Sequence, residues 1–146
     1  MAIFTNQEKD IIKRTKANLD FIDKAKHENK GVYETTQLFN SLLGIIVYIK
    51  EKKINADNFK SIKLTDDKKE EWAIPKEIKD NNLWKFLYNL RNAVAHIDIT
   101  FTSDNSGKIK TLSFKDSRRG GNWECTFTVD GMSKFINKLC EYIENN

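Results

Sequence analysis

The sequence predicts a mainly α protein, an up-and-down four-helix bundle with a short antiparallel β-meander inserted between the third and fourth main helices. Apolar residues recur every three or four positions over four segments, which is the spacing of amphipathic helices. Between the third and fourth segments the apolar residues recur at every second position, which is the spacing of β-strands. We expect a single domain over residues 1–146, because a chain of this length can bury a real core.

The first two helices are predicted in the N-terminal third of the chain. Thr5 and Glu8 have the spacing of a capping box, so the first helix is expected over residues 6–26. The second helix is expected over residues 33–52 and is much more apolar. It ends in lysines, which suit the negative end of a helix dipole.

The third helix follows a less regular connection. Residues 54–79 are predicted to connect the second and third helices, with one short helix at most before Pro75. Either Asp80 or Asn81 is expected to cap the third helix. The apolar positions of this helix form the clearest repeat in the chain, at Leu83, Leu87, Leu90, Val94 and Ile97.

The meander and the last helix complete the predicted fold. Apolar and polar residues alternate over residues 97–102, which predicts a strand, and residues 103–107 have the composition of a turn. A second strand is expected around residues 112–114 and a third over residues 123–129, with a turn at residues 118–122 between them. The Asp130-Gly131 pair then opens the last helix.

Composition and charge limit the classes of function. The longest apolar stretch, residues 42–49, is much shorter than the roughly 20 residues that span a bilayer. The N-terminus has no apolar region typical of a signal peptide, so we expect a cytoplasmic protein with no membrane partner. The net charge of +4 and the pI near 9.0 modestly favour a polyanionic partner, although lysine-rich surfaces are common.

Metal and cofactor chemistry have little support in the sequence. Cys125 and Cys140 lack the spacing of metal ligands, and both are expected to be buried, reduced thiols. His27 and His96 are the only histidines, so a histidine-rich zinc site is not expected. A phosphate-binding glycine-rich loop is also missing. We therefore predict no metal and no cofactor.

The candidate site lies at the end of the third helix. Arg91 and His96 are about 140° apart on a helical wheel, so they converge only where the helix ends or where two copies of the helix meet. The alternative is that both cations offset the helix dipole and that Arg91 pairs with a carboxylate. Asparagine is a poor helix former, so its use on the polar stripe favours a function over plain solvation. The residues of that stripe, opposite the apolar face, are Lys85, Asn89, Asn92 and His96.

The second helix also carries polar residues within an apolar body. Gln37, Asn40 and Ser41 lie close to Gly44, whose missing side chain permits close helix approach. Because buried amides need hydrogen-bond partners, we expect the stripe of Tyr33, Gln37, Asn40 and Gly44 to face the polar side of the third helix across a cleft. A hydrogen-bond network that only fixes helix packing is at least as well supported as direct substrate contact.

Arg91, the polar Asn92 and His96, set at the end of a bundle helix, resemble the motif of the HEPN superfamily of prokaryotic RNases. The stretch 36–47 and the strand-bearing tail to Trp123 are also similar to a small single-domain HEPN nuclease group found on bacterial plasmids and other mobile elements. The resemblance covers most of the chain outside residues 54–79.

This resemblance implies a metal-independent endoribonuclease that is a homodimer, with two motifs meeting across the interface. RNA carries its own nucleophile, the 2′-hydroxyl, and the expected products are a 2′,3′-cyclic phosphate and a 5′-hydroxyl. Arg91 would neutralise the phosphate, His96 would transfer protons, and Asn92 would orient the imidazole or the ribose. The expected substrate-binding or supporting residues are Lys85, Asn89, Gln37 and Asn40.

A protein of this kind is expected to act as a toxin or a phage-defence effector, restrained by an antitoxin such as a nucleotidyltransferase. The main competing hypothesis is a non-catalytic HEPN domain that binds RNA or a protein partner through the same cleft. A third hypothesis is a purely structural helical dimer. Assaying RNA cleavage in EDTA, with His96→Ala beside the unsubstituted chain, separates the three.

Overall fold

A computed structural model describes residues 7–28, 34–96, 98–118 and 121–146. Within these ranges the chain forms six helices and a three-stranded antiparallel sheet. The predicted fold class, a helical bundle with a meander before its last helix, is confirmed. The elements are α1 (Gln7–His27), α2 (Glu34–Lys52), α3 (Ala56–Ser61), α4 (Asp66–Glu71), α5 (Leu83–Ala95), β1 (Ile99–Ser103), β2 (Ile109–Asp116), β3 (Trp123–Thr128) and α6 (Val129–Asn145).

The four long helices share one apolar core. α1 packs against α2 and α6, and α2 also packs against α5. The apolar stripe of each helix faces the others, because burying these side chains is the main favourable term in folding. No helix in the described part of the chain is long and apolar enough to cross a bilayer. Fully buried members of the core include Ile12, Leu42, Ile46, Leu87, Leu90, Ile136 and Leu139.

The connection between α2 and α5 is more ordered than predicted. It contains two short helices, α3 and α4, where the sequence predicts one at most. Six residues make less than two turns, so neither helix has a recognisable apolar period. Aromatic side chains bind the connection to the bundle: the Phe59 ring centroid lies 6.5 Å from that of Trp84 in α5 and 5.3 Å from that of Tyr142 in α6.

The cap of α5 differs from the prediction of Asp80 or Asn81. Asn82 is the N-cap, and its Oδ1 accepts a hydrogen bond of 2.8 Å from the backbone N–H of Lys85. Three neighbouring residues all have side chains that can cap a helix, and the sequence does not separate them. Because Asn82 takes this position, the Asp80 carboxylate is left for other partners.

The sheet places one face of β2 and β3 in the core. β2 is the central strand and pairs with both β1 and β3. Phe101 of β1 is 49% exposed, and its ring meets that of Phe39 edge-on, so the predicted apolar face of β1 is partly uncovered. The buried residues of the other two strands are Leu112, Phe114, Cys125 and Phe127.

The boundary between β3 and α6 lies earlier than predicted. Val129 begins the helix instead of ending the strand. The side chain of Thr128 causes this boundary, because its Oγ1 accepts a hydrogen bond of 3.0 Å from the N–H of Gly131. Predictions that concern Thr5, Tyr33, Ile97 and residues 119–120 lie outside the described residues.

Both cysteines are buried and free, as predicted. Burial raises the pKa of Cys140 to about 12 and raises the pKa of Cys125 well above its usual value. Each thiol therefore stays protonated at neutral pH and behaves as a small apolar side chain.

Candidate functional site

A cleft of about 470 Å³ lies along α5, at the place where the sheet packs against this helix. One wall is the polar side of α5. The opposite wall comes from the end of β2, the turn after it and the start of β3. The α5 residues that line the cleft are Lys85, Tyr88, Asn89, Arg91 and Asn92, and the residues of the other wall are Asp116, Arg118, Gly121 and Trp123. Lys85, Asn89, Arg91 and Asn92 are four of the residues that the sequence singles out.

Arg91 is held at the edge of the cleft by an ion pair. Its Nη2 lies 2.7 Å from Oε1 of Glu51, in the last turn of α2. The two side chains are 32% and 58% exposed, so water screens the pair and its net contribution to stability is about 0–1 kcal/mol. A phosphate entering the cleft can therefore take the place of Glu51 at small cost.

Asn92 lies deeper than the helical wheel predicts. Its side chain is only 9% exposed, although the wheel places it on the face turned away from the core. The sheet packed against α5 covers this face. Among the residues that the structure describes, the Asn92 amide has no hydrogen-bond partner, and it lines the cleft. An amide that lines a cleft and has no hydrogen-bond partner within the protein can bind a polar ligand.

His96 stands apart from the cleft. It is the exposed C-cap of α5, and its backbone N–H donates to the carbonyl of Asn92 at 3.1 Å. It is not among the residues that line the cleft. Within one chain the cleft thus contains Arg91 and Asn92 and lacks His96.

Asp80 organises the cleft in a way that the sequence does not predict. Its Oδ1 accepts a hydrogen bond of 2.7 Å from Nδ2 of Asn89, and its Oδ2 accepts one of 2.8 Å from Nε1 of Trp123. Burial raises the pKa of this carboxyl group, and the two hydrogen bonds oppose that shift. Asp80 therefore joins the α5 wall to the β3 wall. No local pattern pairs Asp80 with a tryptophan 43 residues away.

Removing the Asp80 carboxylate should destabilise the fold. We expect Asp80→Ala to lower the free energy of unfolding by about 1–3 kcal/mol, because Asn89 and Trp123 would each lose a hydrogen-bond acceptor. Urea denaturation measures the change. Asp57→Ala is the matched control, since its carboxylate is 99% exposed and its loss should cost under about 0.5 kcal/mol. Equal stability of the two variants would contradict the role of Asp80.

Gln37 and Asn40 lie at a different place from the one expected. They line a groove of about 270 Å³ between α2 and α1, on another face of the bundle from the α5 cleft. The expectation that their stripe faces the polar side of α5 is wrong, because α2 turns this side towards α1. Gly44 lines the same groove, and a Cβ added there would meet no heavy atom within 4 Å. Its missing side chain therefore serves no close helix contact among the described residues.

Positive charge dominates the cleft wall. Lys85, Arg91 and Arg118 line it, whereas Asp116 is the only carboxylate among its described lining residues. Arg118 Nε lies 3.4 Å from Oδ1 of Asp116, and the Arg118 side chain remains 47% exposed. Arg118, in the turn after β2, thus lines the wall opposite Arg91. No group of three or more His, Cys, Asp or Glu side chains in the described ranges is placed to hold a metal ion.

The helical bundle, the inserted meander and the Arg-x4-His segment at the end of α5 together define an HEPN-type domain. The chain belongs to the HEPN pEK499 p136 family, whose model matches residues 1–146. No curated protein and no solved structure matches the chain. HEPN families commonly contain ribonucleases, so this membership favours a ribonuclease-type or toxin-related function.

Proposed function

We propose that this protein is a metal-independent endoribonuclease that works as a homodimer. The observation that carries the proposal is the α5 cleft, where Arg91 and the open Asn92 amide of the HEPN motif lie together among cationic side chains. Arg91 and His96 do not share this cleft within one chain, which supports a site completed by a second copy.

In the proposed reaction Arg91 exchanges its ion pair with Glu51 for the RNA phosphate. The planar guanidinium can donate two parallel hydrogen bonds to phosphate oxygens and offset the charge that develops in the transition state. Asn92, which lines the same cleft, donates to or accepts from the ribose. Arg118 neutralises a neighbouring phosphate from the opposite wall.

His96 performs the proton transfers in this mechanism. An unprotonated His96 takes the proton of the 2′-hydroxyl, whose oxygen then attacks the adjacent phosphorus. The bond from phosphorus to the 5′-oxygen breaks, and this oxygen takes the proton from the same His96, which the second copy supplies to the cleft that holds Arg91. The products are a 2′,3′-cyclic phosphate and a 5′-hydroxyl, with no water or metal consumed.

The cellular role that follows is that of a toxin or phage-defence effector. An RNA-cutting enzyme of broad specificity harms the cell that makes it, so an antitoxin such as a nucleotidyltransferase would restrain it. Family membership supports a toxin-related role at a coarse level.

The test is cleavage of a mixed-sequence RNA by the purified chain in the presence of EDTA. We expect cleavage to persist, and we expect mass spectrometry of the fragments to give 2′,3′-cyclic phosphate and 5′-hydroxyl ends. Loss of cleavage in EDTA with recovery on adding Mg²⁺ would contradict the metal-independent mechanism. Absence of cleavage under both conditions would contradict the proposal that the protein is an endoribonuclease.

The alternative is a non-catalytic HEPN domain that binds RNA or a protein partner through the same cleft. The exposed position of His96, outside the cleft of a single chain, is the observation that favours it. RNA that binds in the cleft and remains intact would support this alternative.

A further inference from the structure

Tyr88 is an exposed aromatic side chain next to the proposed catalytic motif. It is 40% exposed and lines the α5 cleft together with Arg91. Tyr88 precedes Arg91 by three residues, which places the two about 60° apart around the helix and roughly 4.5 Å apart along its axis. Its ring is therefore close to the point where a phosphate would bind Arg91. The aromatic rings of Phe59 and Phe86, by contrast, are fully buried in the core.

Two lysines from different helices lie close to the Tyr88 ring. Nζ of Lys50 in α2 is 4.9 Å from the ring centroid, and Nζ of Lys85 in α5 is 4.8 Å from it. Lys50 is also 3.4 Å from the Trp84 ring, one turn before Tyr88. Trp84 and Tyr88 thus share Lys50 as a neighbour, and Tyr88 and Lys85 line the cleft that contains Arg91.

One explanation is that these contacts only stabilise the fold by cation–π attraction. A single cation would be enough for that purpose, whereas here several cations crowd the same place and repel one another. Burial first, and then the positive charges of Lys60, Arg91 and Lys85, lower the pKa of Lys50 to about 8. A negatively charged ligand would offset this repulsion. The crowded cations therefore favour an anionic ligand, and the exposed Tyr88 ring in the cleft offers it a flat surface.

We propose that Tyr88, flanked by Lys50 and Lys85, is a subsite that stacks an unpaired nucleobase and thereby restricts the cleft to single-stranded RNA. Stacking on an aromatic side chain, with lysines on the adjacent phosphates, is the usual way in which proteins hold single strands. Bases inside a duplex have no free face for such a ring. The exposed Lys85 side chain can move aside when the base arrives. This inference rests on the proposed ribonuclease function and names its substrate class.

The test is binding of an RNA of about 12 nucleotides, single-stranded or as a duplex, a length near the upper end of known single-strand site sizes. The probe carries 2′-O-methyl groups, so it cannot be cleaved by 2′-hydroxyl attack, and a fluorescent label for anisotropy. We expect Tyr88→Leu to weaken single-strand binding roughly 5- to 150-fold, because stacking contributes about 1–3 kcal/mol per base. Tyr88→Phe keeps the ring and should bind within roughly twofold of the unsubstituted chain. Neither variant should change duplex binding.

Tyr88→Leu binding as well as the unsubstituted chain would overturn the subsite, and so would an equal loss in Tyr88→Phe. A second measurement needs no variant: 2-aminopurine placed along the single strand should lose fluorescence at one position on binding, and an unchanged signal at every position would also overturn it. Cleavage is tested separately with unmodified RNA. If the unsubstituted chain binds through Tyr88 and cuts nothing, the ribonuclease proposal fails and the stacking subsite remains.

Discussion

Replacing His96 by alanine is expected to lower the rate of RNA cleavage by roughly 10²- to 10⁴-fold, the usual contribution of a general acid or base. The proposed mechanism has no other group that accepts the 2′-hydroxyl proton. The measurement is the initial rate of cleavage of a labelled RNA in EDTA. RNA affinity should change little, because Arg91, Asn92 and Arg118, which bind the phosphates and the ribose in this mechanism, are retained.

His96→Ala should report on the chemical step alone, because the position of His96 allows the fold to tolerate the substitution. The side chain is exposed, and the helix end is closed by the backbone N–H of the residue, which alanine retains. The fold should therefore persist, and thermal unfolding checks it. His27→Ala, at the other histidine of the chain, is the control matched by residue type and should retain the rate. A full rate in His96→Ala would exclude His96 from the mechanism.

Replacing Arg91 by alanine is expected to lower the cleavage rate by roughly 10²- to 10³-fold, as observed when one group that stabilises transition-state charge is removed. Arg91→Lys should recover only part of the rate, because an ammonium cannot make the two parallel hydrogen bonds of a guanidinium. Unlike His96→Ala, both Arg91 variants should also weaken RNA binding. Rates and anisotropy measured on the same preparations separate the two effects.

Glu51→Gln separates the chemistry of Arg91 from its ion pair. This variant removes the charge that Arg91 contacts at 2.7 Å and leaves the guanidinium in place. We expect it to retain cleavage and to bind RNA at least as tightly, since the phosphate no longer competes with a carboxylate. If Glu51→Gln were as inactive as Arg91→Ala, the ion pair itself would be the important feature.

The variants Arg91→Ala and His96→Ala together test whether the site is shared between two copies of the chain. A dimer of Arg91→Ala with His96→Ala has one intact combination of Arg91 from one copy and His96 from the other. After mixing and exchange of subunits, roughly a quarter of the full activity should return, since about half of the dimers are mixed and each has one intact site. No recovery, in a mixture that size analysis shows to contain dimers, would contradict a shared site.

The sequence predicted the long elements well because their signals are local. The apolar repeat of α5, the change of period at β1 and the turns of the meander all depend on residues a few positions apart. The same holds for the Arg91 to His96 segment, which stands out because of its residue types and its place at a helix end. Short elements gave no such signal, and α3 and α4 were therefore not both predicted.

The neighbour of the Gln37 stripe was predicted wrongly for a related reason. A helical wheel shows that Gln37, Asn40 and Gly44 share a side of α2, and it does not show which neighbour that side meets. α2 has α1 on one side and α5 on another, so the choice depends on how the bundle is assembled. The stripe lies beside α1, away from Arg91.

The sequence by itself determined the mainly helical fold, the position of the meander and the motif at the end of α5. Only the tertiary structure decided that Arg91 contacts Glu51, that Asn92 and Tyr88 line one cleft, and that two lysines lie within 5 Å of the Tyr88 ring. The physical reason is the range of the interactions. Helix and strand periods arise between near neighbours in the chain, whereas a cleft is formed by side chains that packing brings together from separate elements.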